Sequence, residues 1–230
     1  MVENSSIREH ILAVREKIFT SADRAGRDGA EVKLLGVTKT RTVEEMLEAV
    51  PLIDAVGENR VQEALAKKER WPSGTKAEWR LIGHLQSNKV RRALSLFDTV
   101  DSLDSVALAQ AVERTAAETG RAVPVLIEVN TSGEASKTGV APGEFSELAD
   151  RVMEYPHLEL RGLMTIGPLT NDEAQVRSAF AHLREMTEGA RLRSGLPLPV
   201  LSMGMSSDFE WAVAEGSTMV RIGTSLFGPR

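Results

Sequence analysis

A chain of 230 residues, 42% hydrophobic and 27% charged, is long enough to bury a substantial core and has an ordinary globular composition. Its formal net charge of −5 gives no broad attraction to nucleic acid or anionic lipid, so any basic site is local. The absence of cysteine excludes disulfides, thiolate catalysis and sulfur-ligated metals, and no stretch approaches the ~18–20 continuous apolar residues of a membrane span.

From 6 to 25, Ile7, Ile11, Val14 and Ile18 recur at three- and four-residue spacing, which predicts a helix ended by Gly26 and Gly29. The N-terminal fifteen residues hold no apolar run followed by a small-residue cleavage site, so a signal peptide is not expected and a cytoplasmic location is. Strand candidates then follow at 34–39, 55–58, 78–84, 99–101, 123–130, 159–166, 199–203 and 219–222. Between them lie amphipathic helices. Leu108, Ala109, Val112 and Ala116 stripe 105–118, and Val176, Phe180, Leu183, Met186 and Ala190 stripe 172–192. Pro142 suits a first helical position, and Asn171 suits a cap before the long helix.

Eight strands alternating with helices imply a parallel sheet. The count and length favour a single (β/α)8 TIM-type barrel over residues 1–230, preceded by an N-terminal helix. An open doubly wound sheet is the alternative. It would normally show a glycine-rich turn after its first strand, and Thr38-Lys39-Thr40-Arg41 contains none.

In such a barrel the reactive groups project from the carboxyl ends of the strands. Those ends supply Lys39, Glu58 and Asn59, His84, Asp101, Asn130, Thr165, the segment 202–207 and the segment 221–225, which points to one shared pocket. A lysine held there loses water around its ammonium group and becomes a candidate amine nucleophile for a carbonyl compound. Ser207 and Glu210 have capping-box spacing, so a helix is expected to start there, with backbone amides and the Ser206 hydroxyl facing an anion. Gly223 lets backbone approach a ligand, and Thr224 adds an amide and a hydroxyl. A plain helix cap and tight turn would read the same way. Loops after the seventh and eighth strands are nonetheless where such barrels frequently hold phosphate. A strand-end lysine facing a phosphate site is the arrangement that pyridoxal 5'-phosphate requires, with Arg221 directed at the ring. An arginine cannot accept a proton, so it would leave the pyridine nitrogen unprotonated and the cofactor a weaker electron sink.

From about Val32 onward the chain resembles the pyridoxal phosphate homeostasis proteins, relatives of the barrel domain of alanine racemase. The resemblance rests on Gly36-Val37-Thr38-Lys39-Thr40, Gly57-Glu58-Asn59-Arg60-Val61-Gln62-Glu63 and the stretch from Trp79 through His84 to Lys89. Val129-Asn130-Thr131-Ser132, Ser136-Lys137-Thr138-Gly139, Gly162-Leu163-Met164, Leu201 to Asp208 and Val220 to Gly228 extend it. It implies a Schiff base on Lys39, Arg221 at the pyridine nitrogen, and Ser206, Gly223 and Thr224 around the phosphate. Asn59 would stand beside the ring. His84 would line the pocket or serve as a hydrogen-bonded structural histidine, and Lys137 is read as a surface lysine or a rim contact.

Arg60 departs from the aromatic residue that the family often carries there. The second β domain of the racemases, which supplies a tyrosine acid/base, is not expected, and the single tyrosine, Tyr155, precedes a strand. The resemblance therefore implies a monomer that maintains the intracellular pool of the cofactor and serves cofactor-dependent apo-enzymes. An amino-acid racemase of low activity is the alternative. The basic run Lys89-Val90-Arg91-Arg92 reads as a solvated helix face rather than a nucleic-acid site.

Overall fold

The computed structural model describes residues 6–229. Ser6 caps the first helix, α1 (Ile7–Arg24): its Oγ accepts from the Glu9 amide at 3.3 Å, and the Glu9 carboxylate accepts from the Ser6 amide at 2.8 Å. Eight strands follow: β1 (Lys33–Val37), β2 (Ala55–Glu58), β3 (Trp79–Leu81), β4 (Thr99–Leu103), β5 (Val123–Glu128), β6 (Leu158–Met164), β7 (Val200–Ser202) and β8 (Met219–Ile222). They pair in parallel in chain order, and β8 returns to β1 from Lys33↔Met219 to Gly36↔Ile222, which closes the barrel. The helices between and after them are α2 (Val43–Ala49), α3 (Val61–Glu69), α4 (Val90–Leu94), α5 (Val106–Thr119), α6 (Phe145–Glu154), α7 (Glu173–Ser194), α8 (Phe209–Ala214) and α9 (Thr224–Phe227).

The period of two along each strand sorts side chains between two cores. Leu35, Ala55, Ile82 and Met219 meet in one cluster inside the barrel. Their neighbours Leu34, Val56, Leu81 and Val220 pack outward against the helices. Helix α1 lies across α8 and α9, with Ile11, Val14 and Ile18 against Phe209, Val213, Leu226 and Phe227. Each such side chain contributes roughly 1.5–3 kcal/mol on burial. That contact joins the start of the chain to the segments that follow β7 and β8.

The barrel interior also carries charge. Arg80 donates to both oxygens of Asp101, Nε to Oδ2 at 2.8 Å and Nη2 to Oδ1 at 2.9 Å, while the Thr99 hydroxyl donates to Oδ1 at 3.1 Å. Burial opposes the Arg80 charge, but Asp101 and Glu78 outweigh it and hold the guanidinium above its usual range.

Two local expectations are corrected. The third strand is only Trp79–Leu81, because Gly83 passes so close to Asn59 that a Cβ would lie 2.4 Å from the Asn59 carbonyl oxygen. The chain beyond Leu81 is still tied down, Ile82 N to Glu58 O and Ser102 Oγ to Gly83 O. Asp172, not Asn171, caps α7: its Oδ1 accepts from the Ala174 amide at 3.0 Å and the Gln175 amide at 3.3 Å. Pro142 does take a first helical position, that of a 3-10 turn, Pro142–Glu144, which leads into α6.

Candidate functional site

Lys39 stands two residues beyond the last ladder residue, Val37, in a turn rather than at the strand end itself. The alternation of β1 continues into that turn. Thr38 is buried and faces outward to the helices, whereas Lys39 is half-buried and lines a cavity of about 330 Å³ at the carboxyl end of the barrel. Val37, Arg41, Met205, Ser206, Ser207, Arg221, Gly223 and Thr224 complete the lining. Five of the seven candidate residues therefore meet in one place: Lys39, Ser206, Arg221, Gly223 and Thr224.

Next to the Lys39 turn, the cavity is walled by the two turns after β7 and β8. Helix α8 starts at Phe209 with Asp208 as its cap residue, so the expected capping box of Ser207 and Glu210 does not form. The reason is the Asp208 carboxylate, which reaches back across the turn and accepts from the Met205 amide at 2.6 Å, while Ser207 is exposed. Burial pushes the Asp208 carboxyl up, against that hydrogen bond and the charge of Arg221. Ser206 Oγ accepts from the Ser225 amide at 3.3 Å and so ties this turn to the start of α9. Gly223 has a negative φ of −117°, and a Cβ there would meet Val37 only at an ordinary 3.5 Å.

Arg221 is 4% exposed. It donates from Nη1 to Ser202 Oγ at 2.9 Å and from Nη2 to the Thr165 carbonyl at 2.7 Å, which fixes the plane of its guanidinium. Burial presses it below its usual range, while Glu128, Asp101 and Asp208 pull it back. Arg41 had no assigned role in the sequence. It sits at the cavity edge, donates to the Gly228 carbonyl at 2.5 Å and lies 5.7 Å from the centre of the Phe227 ring. Its position two residues after Lys39, in the same turn, is the signal that could have found it.

Asn59 and His84 stand outside that lining. Asn59 directly follows β2, and its Oδ1 is one of two buried side-chain atoms without a hydrogen-bond partner among the described residues, the other being Glu58 Oε2. His84 is exposed and its Nδ1 lies 3.1 Å from Asp104 Oδ2, a paired imidazole at the mouth. Lys137 spends its ammonium on Glu134 at 2.8 Å and on the Gly167 carbonyl at 2.5 Å, fastening the loop after β5. In that loop Thr138 donates to the buried Glu128 Oε1 at 2.6 Å, and burial pushes the Glu128 carboxyl up. Tyr155 caps the C-terminus of α6 and leads into the amino end of β6, opposite the cavity. Arg91, in the basic run, pairs with Glu118.

The lining is chemically one-sided. Among the described residues it offers one amine, two guanidinium groups and the hydroxyls of Ser206, Ser207 and Thr224, with no carboxylate. Such a donor set fits a small anion that also carries a carbonyl group, and the volume lies at the small end of the ~300–1,000 Å³ usual for ligand sites. Among the described residues no cluster of three or more side chains could hold a metal ion, and no helix is long and apolar enough to cross a membrane.

Residues 12–230 match the family described as alanine racemase, N-terminal domain. Curated relatives include a pyridoxal phosphate homeostasis protein of Aquifex aeolicus, 42% identical over 96% of this chain and 97% of its own. Another of the same name, from Pseudomonas aeruginosa, is 43% identical over 98% of this chain and 96% of its own. Among solved structures, PipY of Synechococcus elongatus with pyridoxal phosphate bound is 35% identical, with a TM-score of 0.78, 94% of this chain and 100% of that one being covered. Alanine racemase of Clostridium difficile, 15% identical with a TM-score of 0.71 over 94% of this chain and 59% of that one, shares the fold alone.

Proposed function

Since the chain belongs to the pyridoxal phosphate homeostasis proteins, we propose that it binds pyridoxal 5'-phosphate as a Schiff base on Lys39 and keeps the intracellular supply of that cofactor steady. The observation that carries this reading is the shared cavity: Lys39, Ser206, Arg221, Gly223 and Thr224 line one space of about 330 Å³. When bound, the cofactor supplies an aldehyde that condenses with amines and a ring that withdraws electrons from what is attached to it.

The residues divide that task. The Lys39 amine tethers the aldehyde end. The Ser206 and Thr224 hydroxyls, with backbone at Gly223, take the phosphate, and Arg41 adds positive charge at the same edge. Arg221 meets the ring nitrogen with a guanidinium that has no site for a proton, so the nitrogen stays unprotonated and the ring a weak electron sink. Asn59 follows β2 with a buried, unpartnered Oδ1 outside the lining, so a place beside the ring would need its side chain to turn, and His84 stands at the outer mouth. A weak sink with one amine suits storage and release better than turnover. In this reading the chain works as a cytoplasmic monomer and hands the cofactor to apo-enzymes that need it.

The test is spectroscopic. Purified protein mixed with pyridoxal phosphate gains visible absorbance, and borohydride reduction followed by peptide mass spectrometry finds the label on Lys39. A mixture that shows only the spectrum of the free cofactor, or a bound spectrum unchanged in Lys39→Ala, would sink the reading. Rapid racemization of a single-enantiomer amino acid, lost in Lys39→Ala, would replace storage with catalysis.

A further inference from the structure

The turn that carries Lys39 is gripped from outside the barrel by a buried charge cluster with no task so far. Lys67, on α3 and 7% exposed, directs its ammonium to three acceptors: Thr38 O at 2.7 Å, Glu58 Oε1 at 2.6 Å and Glu63 Oε1 at 2.7 Å. All three of its hydrogens are thereby engaged. Both carboxylates reach the same turn themselves. Glu58 Oε1 accepts from the Thr38 hydroxyl at 2.5 Å, and Glu63 Oε1 accepts from the Thr40 amide at 2.5 Å. The residue before Lys39 is therefore held by its carbonyl and its hydroxyl, and the residue after it by its amide.

Thr40 sits at a φ of +66°, a left-handed conformation that β-branched residues rarely adopt. Strain of this kind persists where surrounding bonds over-determine the backbone. Joining α3 to β2 needs no such cluster, because Val61 and Ala64 already pack α3 onto the barrel. Buried ion pairs in general add little to stability compared with apolar side chains of similar volume. What apolar side chains cannot do is bind the polar backbone on both sides of one residue.

We propose that Lys67, braced by Glu58 and Glu63, is a positioning residue for Lys39: it locks the backbone from Thr38 to Thr40 so that the Lys39 amine projects toward the phosphate end of the cavity. This rests on the reading that Lys39 is the point of attachment. It has a second consequence for selectivity. An ammonium whose hydrogens are all bound to carboxylates and a carbonyl has no lone pair to offer an aldehyde, so Lys67 stays inert although it lies next to the reactive turn.

The experiment uses the full chain with pyridoxal phosphate as the probe. Borohydride-trapped label at Lys39 is measured against cofactor concentration, alongside the melting temperature of the cofactor-free protein. Lys67→Met and Glu63→Ala raise the half-saturating concentration by about tenfold or more, the scale expected when a reacting group is misplaced. Glu63→Gln keeps an acceptor oxygen for the Thr40 amide and recovers most of what Glu63→Ala loses. If Lys67→Met does not fold, the Glu63 pair decides alone. A lower melting temperature in Glu63→Ala with unchanged half-saturation overturns the proposal, because a merely structural cluster behaves that way. Label on Lys67 in the unsubstituted protein overturns it as well. The underlying reading fails differently: the unsubstituted protein then takes no label at Lys39 at all.

Discussion

Replacing Asp101 with alanine tests the charged layer beneath the cavity. Asp101 is 0% exposed and Arg80 5% exposed, so the substitution strips a fully buried acceptor from a buried guanidinium. Two charge-assisted bonds of 2.8 and 2.9 Å vanish, and the Thr99 hydroxyl loses its acceptor at 3.1 Å. Arg80 keeps only its bond to Glu78, at 2.5 Å. Removing one partner of a buried pair costs about 3–5 kcal/mol, against total stabilities of roughly 5–15 kcal/mol. At a urea dependence of about 2–3 kcal/mol per molar, the unfolding midpoint falls by about 1.5 M. Trp79 lies on the same strand as Arg80, 5.1 Å edge-on to Trp71, so tryptophan fluorescence reads the transition beside circular dichroism. Arg80→Met combined with Asp101→Leu removes both charges, and stability returns to within about 1 kcal/mol of the parent. A loss below about 1 kcal/mol for Asp101→Ala, or a double variant as weak as the sum of the single ones, would refute the argument.

Two further substitutions probe the end of β5 and the β6–β7 seam. Glu128 is buried at the end of β5 with its carboxyl pushed up, first by burial, so the folded state holds this proton more tightly than the unfolded chain. Its contribution to stability then declines as pH rises from the unfolded value of 4.5 through the raised folded value. Glu128→Gln keeps an acceptor for Thr138 and removes that decline. Urea titrations across pH show the variant matching the parent near pH 4 and gaining on it as pH rises; parallel curves would count against this. Gly162→Ala meets two obstacles, a φ of +151° and a Cβ only 1.8 Å from the Val200 carbonyl oxygen. A loss of about 4 kcal/mol or more follows, equivalent to about 10 °C in calorimetric Tm for a chain of this length, and an unchanged Tm would contradict it.

How far the sequence could be read depended on whether each signal was local. The second and eighth strands match the ranges expected from the apolar runs, 55–58 and 219–222, since Asp54 and Asn59 bound the one and Thr218 and Gly223 the other. The third strand was overestimated because its extended backbone continues past the ladder, where Gly83 presses on Asn59. The helix start at Ser207 followed the right spacing but lost to Asp208, whose side chain had a nearer amide to satisfy. The lysine cluster was hidden for another reason. Lys67 reads as one more charge on an amphipathic helix, and its acceptor Thr38 lies 29 residues away. Only the closed barrel, by turning Glu58 outward beneath α3, gives that lysine three partners at once.

The pairing of β8 with β1 makes the cavity a property of the closed barrel. Lys39 stands in the turn after β1 and Ser206 to Thr224 in the turns after β7 and β8, segments remote in sequence that meet only along this seam. No part of the chain holds the whole lining by itself. Under the proposed function, loading with the cofactor would therefore report that the seam is shut.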